Sequence, residues 1–326
     1  MSEPAVTCER ITIRQAADEL RGADRILILT HQYPDGDTLG SGYGLCRTLQ
    51  RMGKTVRVEC ADAIPDKYAF LFEGMEMPAF EPDYICAVDV ADTRLLGKKL
   101  SVYADRIQLC IDHHASNTEY ARRLLVDSGC AATAELIYSL MGELGISLDQ
   151  MTAECLYTGI ATDTGCFRYS NTTAATHRAA ADMMEAGIRA DRINRTMFDI
   201  KSRSRVELER LALESMRFYM NGRCAVMMIT TAMVRESGAG ENDMEGLAPL
   251  PRQIEGVWVG ATLRQKEDGA FKVSIRTGNH ADASAICAEM GGGGHIRAAG
   301  CALAGPADQA VEQILAAVRR TVEGIE

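Results

Sequence analysis

The segment Thr30-His31-Gln32-Tyr33-Pro34-Asp35-Gly36-Asp37 puts one imidazole and two carboxylates close together, and Asp89, Asp112-His113-His114 and Asp163 follow downstream. Imidazoles mixed with carboxylates form the donor set of a divalent-metal site, suiting manganese better than magnesium, which prefers oxygen and retained water. Pro34 and Gly36 force a turn, so Asp35 and Asp37 can point back beside His31. Asp35, Asp37, Asp89 and Asp163 carry about −4, which two divalent cations would neutralise, while His31 and His113 add ligand atoms without charge. A single cation would leave excess negative charge in a cleft of reduced dielectric. Two cations are therefore expected. Each piece alone has an ordinary explanation, an Asx turn capping a helix or a hydrogen-bonded strand end; the conjunction points to metal chemistry. Far downstream, Gly291-Gly292-Gly293-Gly294-His295 runs into Ile296-Arg297-Ala298-Ala299-Gly300. Glycines let backbone N–H groups approach an anion with no Cβ in the way. Arg264 and Arg276, at the ends of neighbouring expected strands, suit bidentate phosphate contact. These residues read as a phosphate grip.

The elements that must position these groups alternate between two periods. Apolar runs of strand length occur at Arg25–Thr30, Lys54–Cys60, Tyr84–Val90 and Arg106–Asp112, with helical patterns at Thr38–Met52, Ala132–Leu144 and Thr152–Thr162. Strands alternating with helices predict a parallel sheet with covered faces. Its strands would open at their carboxyl ends onto one crevice, where the His and Asp residues fall. Residues 191–217, rich in Arg, Lys and Glu, read as a helical connector. Beyond it, Phe218–Met220 and Cys224–Ile229 flank an Asn221-Gly222 hairpin signal. Val257–Arg264 and Phe271–Arg276 flank Glu267-Asp268-Gly269, and a helical Ala281–Met290 leads into the glycines. The predicted architecture is α/β: a parallel-sheet catalytic domain over 1–190, the connector over 191–217, and a smaller α+β substrate-binding domain over 218–326.

Composition bounds the partners. The chain has 326 residues, 47% hydrophobic and 25% charged, enough for a sizeable core and more than one domain. Lys+Arg number 35 against 45 Asp+Glu, net −10. Residues 191–326 hold 17 basic and 18 acidic side chains, leaving 18 and 27, net −9, in residues 1–190. An acidic first half argues against tracking long nucleic acid, which takes a basic stripe. No uncharged apolar run nears the ~18 residues of a membrane span. The N-terminus shows no signal-peptide pattern. Eleven cysteines, an odd number with no C-x-x-C spacing, sit mostly in apolar stretches such as those around Cys86 and Cys110. Reduced cysteines and a cytoplasmic location are expected.

Taken together, His31-x-x-Pro-Asp-Gly-Asp with Gly40-Ser41, then Asp89, Asp112-His113-His114, Asp163 and the distal Gly-rich run ending at His295 and Ala298-Ala299-Gly300 resemble the DHH phosphoesterases with a DHHA1 domain. The likeness extends to the nanoRNase and pAp-phosphatase branch (pAp is 3′-phosphoadenosine-5′-phosphate), to which Gly159–Tyr169 is also similar. The resemblance implies one manganese held by His31, Asp35 and Asp89, and a second by Asp37, Asp89, His113 and Asp163. It implies that Asp112 orients an imidazole, that His114 faces the scissile phosphate, and that Arg276 and Gly291–His295 hold the substrate. Asp92 competes with Asp89 for its place, although Asp89 fits the strand end better.

The activity expected is metal-assisted phosphoester hydrolysis with in-line attack by water. Short oligoribonucleotides would be cut to mononucleotides, exonuclease fashion, and pAp to AMP and phosphate by 3′-nucleotidase action. Other readings are a cyclic or linear dinucleotide phosphodiesterase, a pyrophosphatase of the same superfamily, and a non-catalytic nucleotide sensor. Short RNA or pAp-like nucleotides are the expected partners, with no long nucleic acid, no membrane and an open question of a homodimer. Tyr33, Phe167 and Tyr169 suit base stacking or ordinary packing equally.

Overall fold

Strands buried on both faces carry continuous apolar runs, and Ile26-Leu27-Ile28-Leu29 is buried at every position. It lies inside a parallel sheet in the computed structural model, which describes residues 8–244 and 246–325. The chain forms two units that divide between Ile200 and Lys201. The first runs β1 (Glu9–Arg10), α1 (Ile13–Gly22), β2 (Ile26–Leu29), α2 (Gly36–Arg51), β3 (Val56–Glu59), β4 (Tyr84–Val88) and α3 (Gly97–Leu100). It continues with β5 (Leu109–Asp112), β6 (Arg123–Val126), α4 (Thr133–Leu144), α5 (Gln150–Asp163), α6 (Ala174–Glu185) and α7 (Ala190–Asn194).

The six strands are ordered β1-β6-β5-β4-β2-β3, and every pairing is parallel. Alternate residues serve opposite faces: Ile26, Ile28, Cys86, Val88 and Ile111 pack with α1, α2, α4 and α5, while Leu27, Leu29, Ile85 and Cys110 pack with Leu96 and Leu100. After β3 the chain returns to the other side of β2 to form β4. The carboxyl ends of β2 and β4 therefore flank the point where strand order reverses, the usual ligand crevice of open α/β sheets. Two glycine contacts close α2 onto α5. A Cβ on Gly40 would come within 2.3 Å of the Cys155 carbonyl, and one on Gly159 within 2.8 Å of Asp37 Oδ1. Any side chain there would push apart the helix ends that carry Asp37 and Asp163.

The stretch 191–217 is helical but divided. α7 and the π-helical turn Arg195–Asp199 belong to the first unit, whereas α8 (Arg203–Glu214) belongs to the second. The second unit continues with β7 (Arg217–Tyr219), β8 (Cys224–Ile229), α9 (Thr231–Ser237), β9 (Val259–Gln265), β10 (Phe271–Thr277), α10 (Ala283–Ala288), β11 (Gly293–His295), β12 (Ala298–Leu303) and α11 (Ala307–Thr321). Its sheet is ordered β11-β12-β10-β9-β8-β7, antiparallel except for β8–β9. Val259, Ala261, Leu263, Val273 and Ile275 form one face, buried under Ile286 of α10 and Ile314 and Val318 of α11. The glycine run expected as a phosphate grip is not irregular throughout: Gly293–His295 is a paired strand. Its glycines permit the pairing, since a Cβ on Gly294 would sit 2.6 Å from the Ala299 Cα. Among the described residues no helix is long and apolar enough to cross a membrane.

Candidate metal centre

Five segments deliver side chains to the carboxyl edge of the first sheet. His31 follows β2. Asp35 is the N-cap of α2, its Oδ1 accepting from the N–H groups of Asp37 (3.1 Å) and Thr38 (3.0 Å). Its other oxygen lies 3.5 Å from His31 Nε2. The Asx cap and the metal-directed carboxylate are thus one residue using two oxygens. Asp89 follows β4 with φ +60°, a left-handed backbone uncommon for a residue with a Cβ and typical of strained functional positions. Its Oδ2 lies 3.5 Å from His31 Nε2 and its Oδ1 3.9 Å from His113 Nε2, so it stands between the two imidazoles. Asp163, the last residue of α5, places Oδ2 3.3 Å from His113 Nε2, and Asp37 Oδ2 lies 3.9 Å from the same nitrogen.

Burying this much negative charge requires donors, and the amino end of α4 supplies them. Asp37 accepts from Thr133 N (2.7 Å), Ala134 N (3.0 Å) and Ser41 Oγ (3.0 Å), while the Thr133 hydroxyl donates to Asp89 Oδ1 (2.8 Å). Helix N-terminal N–H groups are natural anion donors. They do not balance the site alone. Burial, with Asp89 and Asp163 nearby, pushes Asp37 well above the usual carboxylate range. Burial also raises Asp163 to about 6, with Asp89 adding to the rise and His113 opposing it. Burial works against a charged His31, but Asp35 and Asp89 override it and push the imidazole up to about 10.

These directions describe a site short of positive charge, and His113 shows where it is missing. Its Nδ1 donates to the Cys130 carbonyl (3.3 Å), which fixes the lone pair on Nε2. That nitrogen is buried without a hydrogen-bond partner among the described residues, yet it faces Asp37, Asp89 and Asp163. A lone pair aimed at carboxylates is repelled unless a cation lies between them. The donor atoms also gather into compact groups: His31, Asp35 and Asp89; Asp37, His113 and Asp163; and Asp89, His113 and His114, each within 4.8 Å. The residues present fit divalent cations.

Asp112 stands behind this cluster. Fully buried, it accepts from His114 Nδ1 (2.7 Å), His113 N (2.9 Å) and Asn117 Nδ2 (2.7 Å). It therefore orients His114, and its hydrogen bond is the main cause of that imidazole rising to about 9 against the opposing effect of burial. Asp92 caps the short turn Thr93–Leu96 and pairs with Arg94 at 2.7 Å; it belongs to none of the donor groups. Thr133 and Asn117 escape the sequence reading, and Ser41 enters it only as part of the Gly40-Ser41 pair of the family motif. Only the Thr beginning a helical pattern hints at Thr133, and nothing local says that the helix points at Asp37.

In the second unit, strand register sorts the expected phosphate-binding residues. His295 pairs with Ala298, Ala298 with Arg276, and Arg276 with Gly260, forming one row across four strands. Arg264 pairs instead with Lys272, four positions along the strands or roughly 13 Å away. It is held by Glu241 at 2.7 Å. Two of the four glycines are required by packing: Gly292, whose Cβ would meet the Gly300 carbonyl at 2.3 Å, and Gly294. Gly291 has φ +74°, and Gly293 faces open space.

The comparisons agree with both units. The family described as "DHH family, N-terminal domain" matches residues 25–160, and "DHHA1 domain" matches 221–324. The bifunctional oligoribonuclease and PAP phosphatase NrnA of Thermus thermophilus is 34% identical over 94% of this chain and 93% of its own. The Bacillus subtilis protein of the same name is 24% identical over 86% and 90%. The crystal structure of an exopolyphosphatase-related protein from Bacteroides fragilis superposes with a TM-score of 0.86, at 27% identity, covering 94% of this chain and 96% of that one. With its ordered His and Asp cluster on the first unit and its Gly-His hairpin on the second, the chain belongs to the DHH family and carries a DHHA1 domain.

Proposed function

We propose that this protein is a two-cation phosphoester hydrolase that cuts short oligoribonucleotides to mononucleotides and converts pAp to AMP and phosphate, with manganese as its metal. The observation that carries the reading is His113 Nε2, buried, without a hydrogen-bond partner among the described residues and facing three carboxylates. The names of the Thermus and Bacillus relatives support the substrates, and mixed imidazole and carboxylate donors support manganese over magnesium. His31, Asp35 and Asp89 would hold one cation, and Asp37, Asp89, His113 and Asp163 the other, with Asp89 shared. Bound there, the cations would polarise the phosphoryl group and activate water for in-line attack.

The chain's own residues do the rest. Thr133 and the amino end of α4 fix Asp37 and Asp89, so the ligands are positioned before the substrate arrives. Asp112 keeps a proton on His114 Nδ1 and holds the ring half-exposed at the rim of the cluster. His114 then presents its other nitrogen to a phosphoryl oxygen or the departing ester oxygen. Arg276 and His295 of the second unit hold a substrate phosphate, approached by the N–H groups of residues 291–294. Such a grip makes only a few phosphate contacts, as a short substrate on an acidic protein requires.

The test is a panel of pAp, a 5′-labelled trinucleotide, a long RNA and cyclic di-AMP, each with manganese and with chelator. Turnover of pAp and the trinucleotide, lost with chelator and weak on long RNA, is the expected result. Preferential cleavage of cyclic di-AMP would replace the substrate assignment, and full activity in chelator would overturn the metal centre.

A further inference from the structure

Next to the His295–Arg276 row, the second unit contains a cavity of about 360 Å³ whose walls include Arg252, Glu255, Trp258, Gly278 and His280. Two glycines make room for Arg252. A Cβ on Gly260 would come within 2.6 Å of its backbone nitrogen, and one on Gly278 within 2.5 Å of Nη2. The guanidinium therefore lies against Gly278, and its Nε is buried with no hydrogen-bond partner among the described residues. A buried donor left unpaired is unfavourable, and native folds seldom keep one without a reason. The nearby Arg297 shows the ordinary solution, donating to the Ala281 carbonyl at 3.0 Å and to the Gly278 carbonyl. Arg264 shows another, its pairing with Glu241.

The aromatic wall is equally specific. Trp258, the only tryptophan of the chain, stacks on the exposed His280 with ring centroids 4.6 Å apart, and the Arg223 guanidinium lies 4.3 Å from the indole centroid. Of the residues that line the cavity, Arg252 is cationic and His280 protonatable, against one exposed carboxylate, Glu255. We propose that this cavity is a phosphate subsite, in which the Arg252 fork pairs with two oxygens of a phosphate group and His280 adds a donor. A planar guanidinium fork matches phosphate geometry better than that of a point anion. The group could come from a nucleotide or from free phosphate. The site does not depend on the metal centre or on the reaction proposed above.

The sole tryptophan makes the test direct. The full-length protein in chelator is titrated with inorganic phosphate, AMP and adenosine, reading Trp258 fluorescence. Phosphate and AMP should give a saturable change and adenosine none. AMP binding at least about tenfold tighter than phosphate assigns the group to a nucleotide, and comparable binding assigns it to free phosphate. Arg252→Gln should weaken the response at least about tenfold, the scale of a lost charge-assisted contact. Arg252→Lys should fall between the two. Arg264→Gln, which removes a cation that is held by Glu241 and does not line the cavity, should leave the response intact. Because Arg252 Nε gives up no partner, the Gln variant should melt with the wild type when phosphate is absent. A response to adenosine equal to that of AMP, or one that survives Arg252→Gln and disappears with Arg276→Gln, overturns the proposal. Neither result touches the metal centre, since no cation and no turnover enter the measurement.

Discussion

The metal cluster and the His295–Arg276 row put polar groups to opposite physical uses. In the first unit Asp37 and Asp89 retain only 2% of their surface, and the carboxylates crowd around two imidazoles. In the second, His295 and its glycines lie exposed at a sheet edge. Buried like charges repel strongly in a low dielectric and are tolerated only with fixed donors and bound cations. Exposed groups face screening water and contribute modestly. The first region is therefore expected to govern whether chemistry occurs, and the second how tightly substrate is held.

Asp89→Asn should break the comparison most sharply. Asn tolerates the left-handed backbone that Asp89 adopts, so the fold survives while a shared ligand loses its charge. Turnover should fall at least ~10³-fold, about 4 kcal/mol. The metal-free protein should become more stable, by about 1 kcal/mol or roughly 2–4 °C in melting temperature, because a repulsive charge has gone. Lower activity together with lower metal-free stability would contradict the charge argument.

Thr133→Val should weaken cation affinity roughly 10–100-fold by calorimetry, the usual effect of removing a group that orients a ligand. Thr133→Ser, which keeps the hydroxyl that Asp89 accepts from, should restore it. Loss with Ser as well would assign the effect to packing.

Arg276→Gln and His295→Ala should raise KM about tenfold with kcat nearly unchanged, the scale of one charge-assisted hydrogen bond. Arg264→Gln should change KM by less than about threefold, since register removes it from the row and its exposed pair with Glu241 is worth at most ~1 kcal/mol. A larger effect at Arg264 than at Arg276 would refute the row.

Proton competition sharpens the same contrast. Asp163 is raised to about 6 by burial first, with Asp89 adding and His113 opposing. A folded value above the unfolded one means that this group contributes stability below about pH 4, lost as pH rises through about 6. A cation must displace that proton, so its affinity should climb up to about tenfold between pH 5 and 6, and because Asp37 and His31 are raised as well it should go on climbing above pH 7. Calorimetry across that range checks both.

Much of the site was legible because its signals are local. Imidazoles and carboxylates at the ends of apolar runs, a Pro-Asp-Gly turn and an Asn-Gly hairpin each depend on neighbours in the chain, and the structure places His31, Asp35, Asp37, Asp89, His113 and Asp163 in shared donor groups. The short strands β1 and β6 were not legible: Glu9–Arg10 is too brief for a period to register, and Arg123–Val126 offers only three apolar residues in a row before the Asp127-Ser128-Gly129 turn.

Residue order and type alone determined which chemistry the protein carries and which strand ends bear it, because donor identity and hydrophobic period are written one position at a time. Only the tertiary structure decided that α4 points its amino end at Asp37, that Asp112 serves His114, and that Gly40 and Gly159 bring Asp163 to His113. It alone separated Arg276 from Arg264 and left Arg252 Nε without a partner among the described residues. Those outcomes depend on strand register and on how closely two helices approach, which are set by packing between segments far apart in the chain.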